Sequence, residues 1–168
     1  MSLEQLINPV TPLPIKVATI TCTQVGGSYA GSVFPPVQTL SGSTASQSIT
    51  VGHSGYIVTI PQVTASVTVT LPTVASIAAS GNNFACRLYF SAAADASHTC
   101  TITTGAANIV GALNNAGTYT PITTAAKKTN IIASASAGVG GEYLDIVSNG
   151  TLYYIYANSG TAAVFTAS

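Results

Sequence analysis

Few side chains in this sequence could do chemistry. It holds two histidines, His53 and His98, three cysteines, Cys22, Cys86 and Cys100, and only four acidic and four basic side chains. Nucleophilic catalysis needs a Ser or Cys beside a base that a third group orients. His53 lies in VGHSG, where Val51 stands in place of the first glycine of a G-x-S-x-G elbow, and its neighbouring glycines predict a turn. His98 lies near Asp95 in DASHT, a polar turn of a hairpin expected between two strands. Glu142 and Asp145 are three apart in EYLD, so on a strand they point to opposite faces and cannot flank a glycosidic bond together. No His or Cys pair has metal-ligand spacing. The three cysteines read as small, buried, reduced hydrophobes, with neighbouring strands able to bring Cys86 and Cys100 together. Gly138-Val139-Gly140-Gly141 precedes a strand and lacks a following Lys-Ser/Thr, unlike a phosphate loop. No catalytic, cofactor-binding or metal-binding residue is assigned, and the chain is not expected to be an enzyme.

The aromatic residues are the other candidates. Tyr153, Tyr154 and Tyr156 crowd one run, and Tyr143 falls on its partner. Such a face can stack on sugars or form a subunit interface. Because no polar cluster accompanies the rings along the chain, core or interface ranks ahead of ligand binding. Candidate interface residues are therefore Tyr143, Tyr153, Tyr154 and Tyr156, together with the arm prolines Pro9, Pro12 and Pro14.

Composition agrees with a structural role. Charged residues make up 5% of the chain and the net charge is zero, whereas about a quarter of an ordinary soluble domain is charged. Ser, Thr, Ala, Gly and Asn fill the gap. With no basic patch, nucleic-acid binding is not expected. With no run of about 18 apolar residues, neither is a membrane span. The first fifteen residues carry Glu4 and three prolines and no signal-peptide core, so assembly in a cytoplasm is expected. Zero net charge also removes an electrostatic brake on self-association.

The elements that must position these residues are short strands. Residues 1–48 read as a proline-rich extended arm with one strand over Ile15–Thr23 and a loop or linker over Leu40–Ser48. Residues 49–168 read as one β domain. Tyr56–Ile60, Ser66–Leu71, Phe84–Phe90, Thr99–Thr103, Asn108–Val110, Tyr119–Ile122, Asn130–Ala133, Glu142–Ser148, Thr151–Ala157 and Ala163–Thr166 are its expected strands. Val74–Ser80, between Pro72 and Gly81, is the one possible helix. Asn149-Gly150 predicts a type I′ turn, pairing Ile146 with Tyr153 and Leu144 with Ile155. The fold class is all-β: an antiparallel β-sandwich or jelly-roll-like barrel with an extended N-terminal arm.

The succession VTVTLPTVASIAASGNNFACRLYFSAAADASHTCTITT, then NIVGALNN, then EYLDIVSNGTLYYIYANSGTA resembles a pattern common in structural virion proteins of tailed phages. It covers about residues 66 to 162. The pattern runs from Leu71-Pro72 through Gly81 to the strand Phe84–Phe90. It continues through the return strand Thr99–Thr103 and an Ile109–Gly111 turn to Asn149-Gly150 before Tyr153-Tyr154. Many such sequences carry Trp where this chain has Tyr153. The resemblance implies a capsid decoration, or cement, protein that binds and stabilises the outer surface of an icosahedral head. Its partner would be the major capsid protein, its state a homotrimer and its location the virion. The alternative it implies is a fibre-tip or receptor-binding module that recognises cell-surface carbohydrate through its tyrosines.

Overall fold

The computed structural model describes residues 35–92, 97–134 and 140–168, all within one compact unit. The arm prolines Pro9, Pro12 and Pro14, the strand expected over Ile15–Thr23, Cys22 and Asp95 lie outside the described residues. The elements are β1 (Val37–Thr39), β2 (Ser46–Ser48), β3 (Ile57–Ile60), β4 (Val67–Thr70), α1 (Val74–Ala79), β5 (Phe84–Phe90) and β6 (Cys100–Thr103). They continue with β7 (Ile109–Asn115), β8 (Thr118–Ile122), β9 (Asn130–Ala133), β10 (Tyr143–Ser148), β11 (Tyr153–Ser159) and β12 (Phe165–Ala167). They form the expected all-β sandwich. Sheet I has seven strands in the order β1-β3-β5-β10-β11-β7-β8, and sheet II has five in the order β12-β9-β6-β4-β2.

The chain alternates between the sheets from β1 to β6. Each step across the sandwich is followed by a return beside the previous strand, so β1, β3 and β5 pair in parallel, as do β2, β4 and β6. The far side of the molecule is mostly antiparallel, through β5-β10, β10-β11, β7-β8, β6-β9 and β9-β12. The sheets are thus mixed rather than purely antiparallel. A parallel neighbour needs a crossover connection, and here the crossover is a strand of the opposite sheet. For the same reason β5 and β6 do not form the hairpin expected around His98: they lie in different sheets. Cys86 and Cys100 accordingly sit on opposite sheets, both buried and free.

Alternation decides which side chains enter the core. Phe84, Cys86, Leu88 and Phe90 are buried along β5 while Ala85, Arg87 and Tyr89 face out, as the sequence predicts. Val58, Ile60, Val69, Leu88, Ile102, Ile131 and Leu144 from both sheets are fully buried in one cluster. Each such side chain contributes about 1.5–3 kcal/mol on leaving water. The helix also forms as expected. Thr73 caps it by accepting from the Ser76 backbone N–H at 3.1 Å, Ile77 anchors it in the core, and Gly81 at φ +70 ends it.

Three local expectations give way to the structure. The stretch over Leu40–Ser48, read as a loop, carries β2 and joins sheet II beside β4. Gly111 is not a turn residue but the middle of β7, paired with Ile155 on one side and Ile122 on the other. The β10–β11 register pairs Ser148 with Tyr153 and Ile146 with Ile155, two residues from the expected one. The connection is four residues because Asn149 Oδ1 accepts from both Thr151 N–H and Leu152 N–H, each at 3.0 Å. A two-residue shift leaves every side chain on its face, so the inward and outward sets are unchanged.

The type I′ hairpin turn occurs elsewhere, at Ala116-Gly117 between β7 and β8. Both residues have positive φ, 48° and 85°, and Asn115 pairs directly with Thr118. Alanine is a poor occupant of that conformation, at a cost of about 1–2 kcal/mol. Ala116→Asn is therefore expected to stabilise the protein by about 0.5–1 kcal/mol, raising Tm by about 2–4 °C. An unchanged or lower melting temperature for this variant contradicts the turn assignment.

Candidate functional site

The outer face of sheet I gathers the aromatic candidates, and strand pairing brings polar groups among them. Across this face one row runs Val37, Ile57, Arg87, Asp145, Tyr156, Ala112 and Pro121. The next row runs Thr39, Thr59, Tyr89, Tyr143, Asn158, Asn114 and Tyr119. On the other side of the first row, Ala85, Val147, Tyr154 and Val110 stand together. Tyr154 and Tyr156 are 45% and 40% exposed, whereas Val110 and Ala112 on the same face are buried.

At its centre the Arg87 guanidinium donates twice to the Asp145 carboxylate, Nε to Oδ1 at 2.6 Å and Nη2 to Oδ2 at 2.8 Å. The same guanidinium lies over the Tyr143 ring, 4.5 Å from its centroid. The side-chain hydrogen bond to Asp145 raises the Arg87 pKa further above its ordinary value. Beside this group Asn114 Nδ2 donates to Asn158 Oδ1 at 2.8 Å. An exposed pair of this kind adds at most about 1 kcal/mol to stability, so its importance is in what it presents to solvent.

Tyr153 does not belong to this face. It is fully buried, packs edge-on against Phe84 with centroids 6.5 Å apart, and donates its hydroxyl to the Pro72 carbonyl. Burial pushes its pKa well above the ordinary tyrosine value. Of the four tyrosines proposed for an interface, Tyr143, Tyr154 and Tyr156 face outward and Tyr153 is a core residue. Sequence reading placed Arg87 and Tyr89 outward but separated them from the tyrosines of β10 and β11. Only the pairing of β5 with β10 unites them, and it supplies the polar cluster whose absence had ranked ligand binding second.

The outer face of sheet II is different. Its rows are Ser46, Thr68, Thr101, Ile132 and Thr166, and Ser48, Thr70, Thr103 and Asn130. Hydroxyl groups replace the aromatic rings there.

Other titratable residues have structural settings. His53 closes a short 3-10 turn: its Nδ1 accepts from the Thr50 backbone N–H at 3.0 Å, and its ring meets Tyr56 edge-on at 5.5 Å. Glu142 is buried, whereas Asp145 is on the outer face, as their spacing predicts. Among the described residues, no group of three His, Cys, Asp or Glu side chains is placed to hold a metal ion.

Burial pushes the Cys86 and Cys100 thiols up from 9.0 to about 12, with the Asp145 charge adding to the effect at Cys86. A thiol with a raised folded pKa favours the fold while both states are protonated. That advantage is lost as the pH rises, because the unfolded thiol ionises first. The thiol contribution is thus expected to be flat below pH 9.0 and to fall between 9.0 and about 12, with buried Tyr153 adding to the fall above pH 10.0. The slope is about 1.4 kcal/mol per pH unit for each thiol. Urea melts from pH 8 to pH 11 measure it, and Cys100→Ala should remove about half of the thiol contribution.

No protein family, curated protein or solved structure matches this chain.

Proposed function

We propose that this chain is a structural virion protein, a capsid decoration or cement protein that docks as a homotrimer on the outer surface of an icosahedral head. Its sequence resemblance to phage virion proteins suggests the setting. The observation that carries the mode of docking is a pair of strand edges, β1 in sheet I and β2 in sheet II, with no partner among the described residues. In β1 the backbone groups of Pro36 and Leu40 turn toward β3, through Ile57 N–H to Pro36 C=O and Leu40 N–H to Thr59 C=O. Those of Val37 and Thr39 therefore turn away. In β2 the Ala45 and Ile49 groups turn toward β4 in the same way, which leaves those of Ser46 and Ser48 pointing out.

Two adjacent edges, one per sheet, with no partner among the described residues, suit strand addition by a neighbouring protein. A surface almost free of charge suits close packing against other neutral surfaces, and three copies of a weak edge contact hold through avidity. Thr39→Pro tests the reading. It removes an outward N–H and no internal ladder bond, so the variant should fold and remain trimeric by light scattering while losing co-sedimentation with heads that lack the protein. A wild-type chain that is monomeric at micromolar concentration and does not bind such heads overturns it.

A further inference from the structure

We propose that the outer face of sheet I is a binding platform for a neutral, ribbon-like polysaccharide built from β-linked pyranose units. This goes beyond the docking role and is separable from it, because the edges of β1 and β2 and the outer face are different surfaces.

The argument starts from unused hydrogen-bonding capacity. A guanidinium has five N–H donors and a carboxylate about four acceptor sites. Arg87 and Asp145 use two of each on one another. The rest open to solvent, side by side, on half-exposed side chains. Vicinal sugar hydroxyls, each both donor and acceptor, match such a mixed array. The pair is held by the Tyr143 ring and flanked across β11 by Tyr156, with Tyr154 two residues along that strand. Neighbouring strands lie about 4.8 Å apart and alternate residues about 6.8 Å apart. The aromatic and polar groups therefore share a patch on the scale of two sugar rings. Asn114 and Asn158 extend the polar strip along the same face.

The face also constrains the ligand's charge and shape. Its two opposite charges cancel in one pair, so nothing selects an ionic ligand. A protein partner covering this exposed pair would strip its water at a large desolvation cost. Sugar hydroxyls instead replace those waters one for one. Tyr89, Tyr154 and Tyr156 stand exposed on the surface of a sheet, which suits a flat ribbon lying across the rings rather than a single enclosed sugar.

Titration calorimetry with cellohexaose and chitohexaose tests the proposal on the full chain. At least one should bind saturably, with affinity unchanged between low and high salt. Tyr154→Ala and Tyr156→Ala should each weaken binding by tenfold or more, whereas Tyr156→Phe, which keeps the ring, should bind within a few fold of wild type. Thr70→Ala on the opposite sheet should have no effect. Because Tyr154 and Tyr156 are outward-facing, circular dichroism melts of the alanine variants should match wild type. Saturable binding of neither oligosaccharide by folded wild type overturns the proposal, as does binding unaffected by both alanine variants.

Discussion

Gly111→Ala is expected to abolish soluble, folded protein or to lower its stability by more than about 3 kcal/mol, the range of severe core disruptions. Gly111 sits in the middle of β7, between β11 and β8, with φ +134. A Cβ there would lie 1.9 Å from the Ile155 carbonyl oxygen and 2.9 Å from the Ile155 nitrogen. Those are backbone atoms of a central strand, so no rotamer change relieves the overlap, and the parallel β7–β11 ladder would have to part. The loss should reach β8, which among the described residues pairs only with β7 within sheet I. Gly160→Ala is the control, because a Cβ at Gly160 meets nothing within 4 Å. A Gly111→Ala protein that melts within about 2 °C of wild type, on the scale where 1 kcal/mol moves Tm by 2–4 °C, refutes the close approach of the two strands.

Gly150→Val is the second large effect. Gly150 has φ +79, and a Cβ on it would stand 3.1 Å from the Cα, N and Cβ of Ala78 in helix α1. The substitution therefore combines backbone strain, about 1–3 kcal/mol, with overpacking against a helix that is itself anchored by Ile77. Gly81→Val separates the two contributions. Gly81 has a similar φ, +70, but open space around its Cβ position. Thermal melts should show Gly150→Val to be the more damaging of the two. Equal losses would mean that the β10–β11 connection does not pack on α1.

Much of the architecture was legible because a strand's two faces are written into its own residues. The alternation in FACRLYF names which side chains enter the core, and Pro72 with Gly81 brackets the helix. The outward positions of Arg87 and Asp145 follow from the same period. None of this depends on which strand lies next to which.

Strand neighbours are what the local pattern leaves open. Turn chemistry suggested a tight turn at Asn149-Gly150, yet the Asn149 side chain satisfies two backbone N–H groups and holds a four-residue loop. The tight turn fell instead on Ala116-Gly117, where the favourable pairing of β7 with β8 outweighs the strain at an alanine. Successive strands β5 and β6 looked like a hairpin, but their apolar faces are buried best from opposite sheets. Only that tertiary choice places β10 beside β5. It assembles Arg87, Asp145, Tyr143 and Tyr156 into one patch from segments almost sixty residues apart, a juxtaposition set by long-range backbone pairing and invisible to any local periodicity.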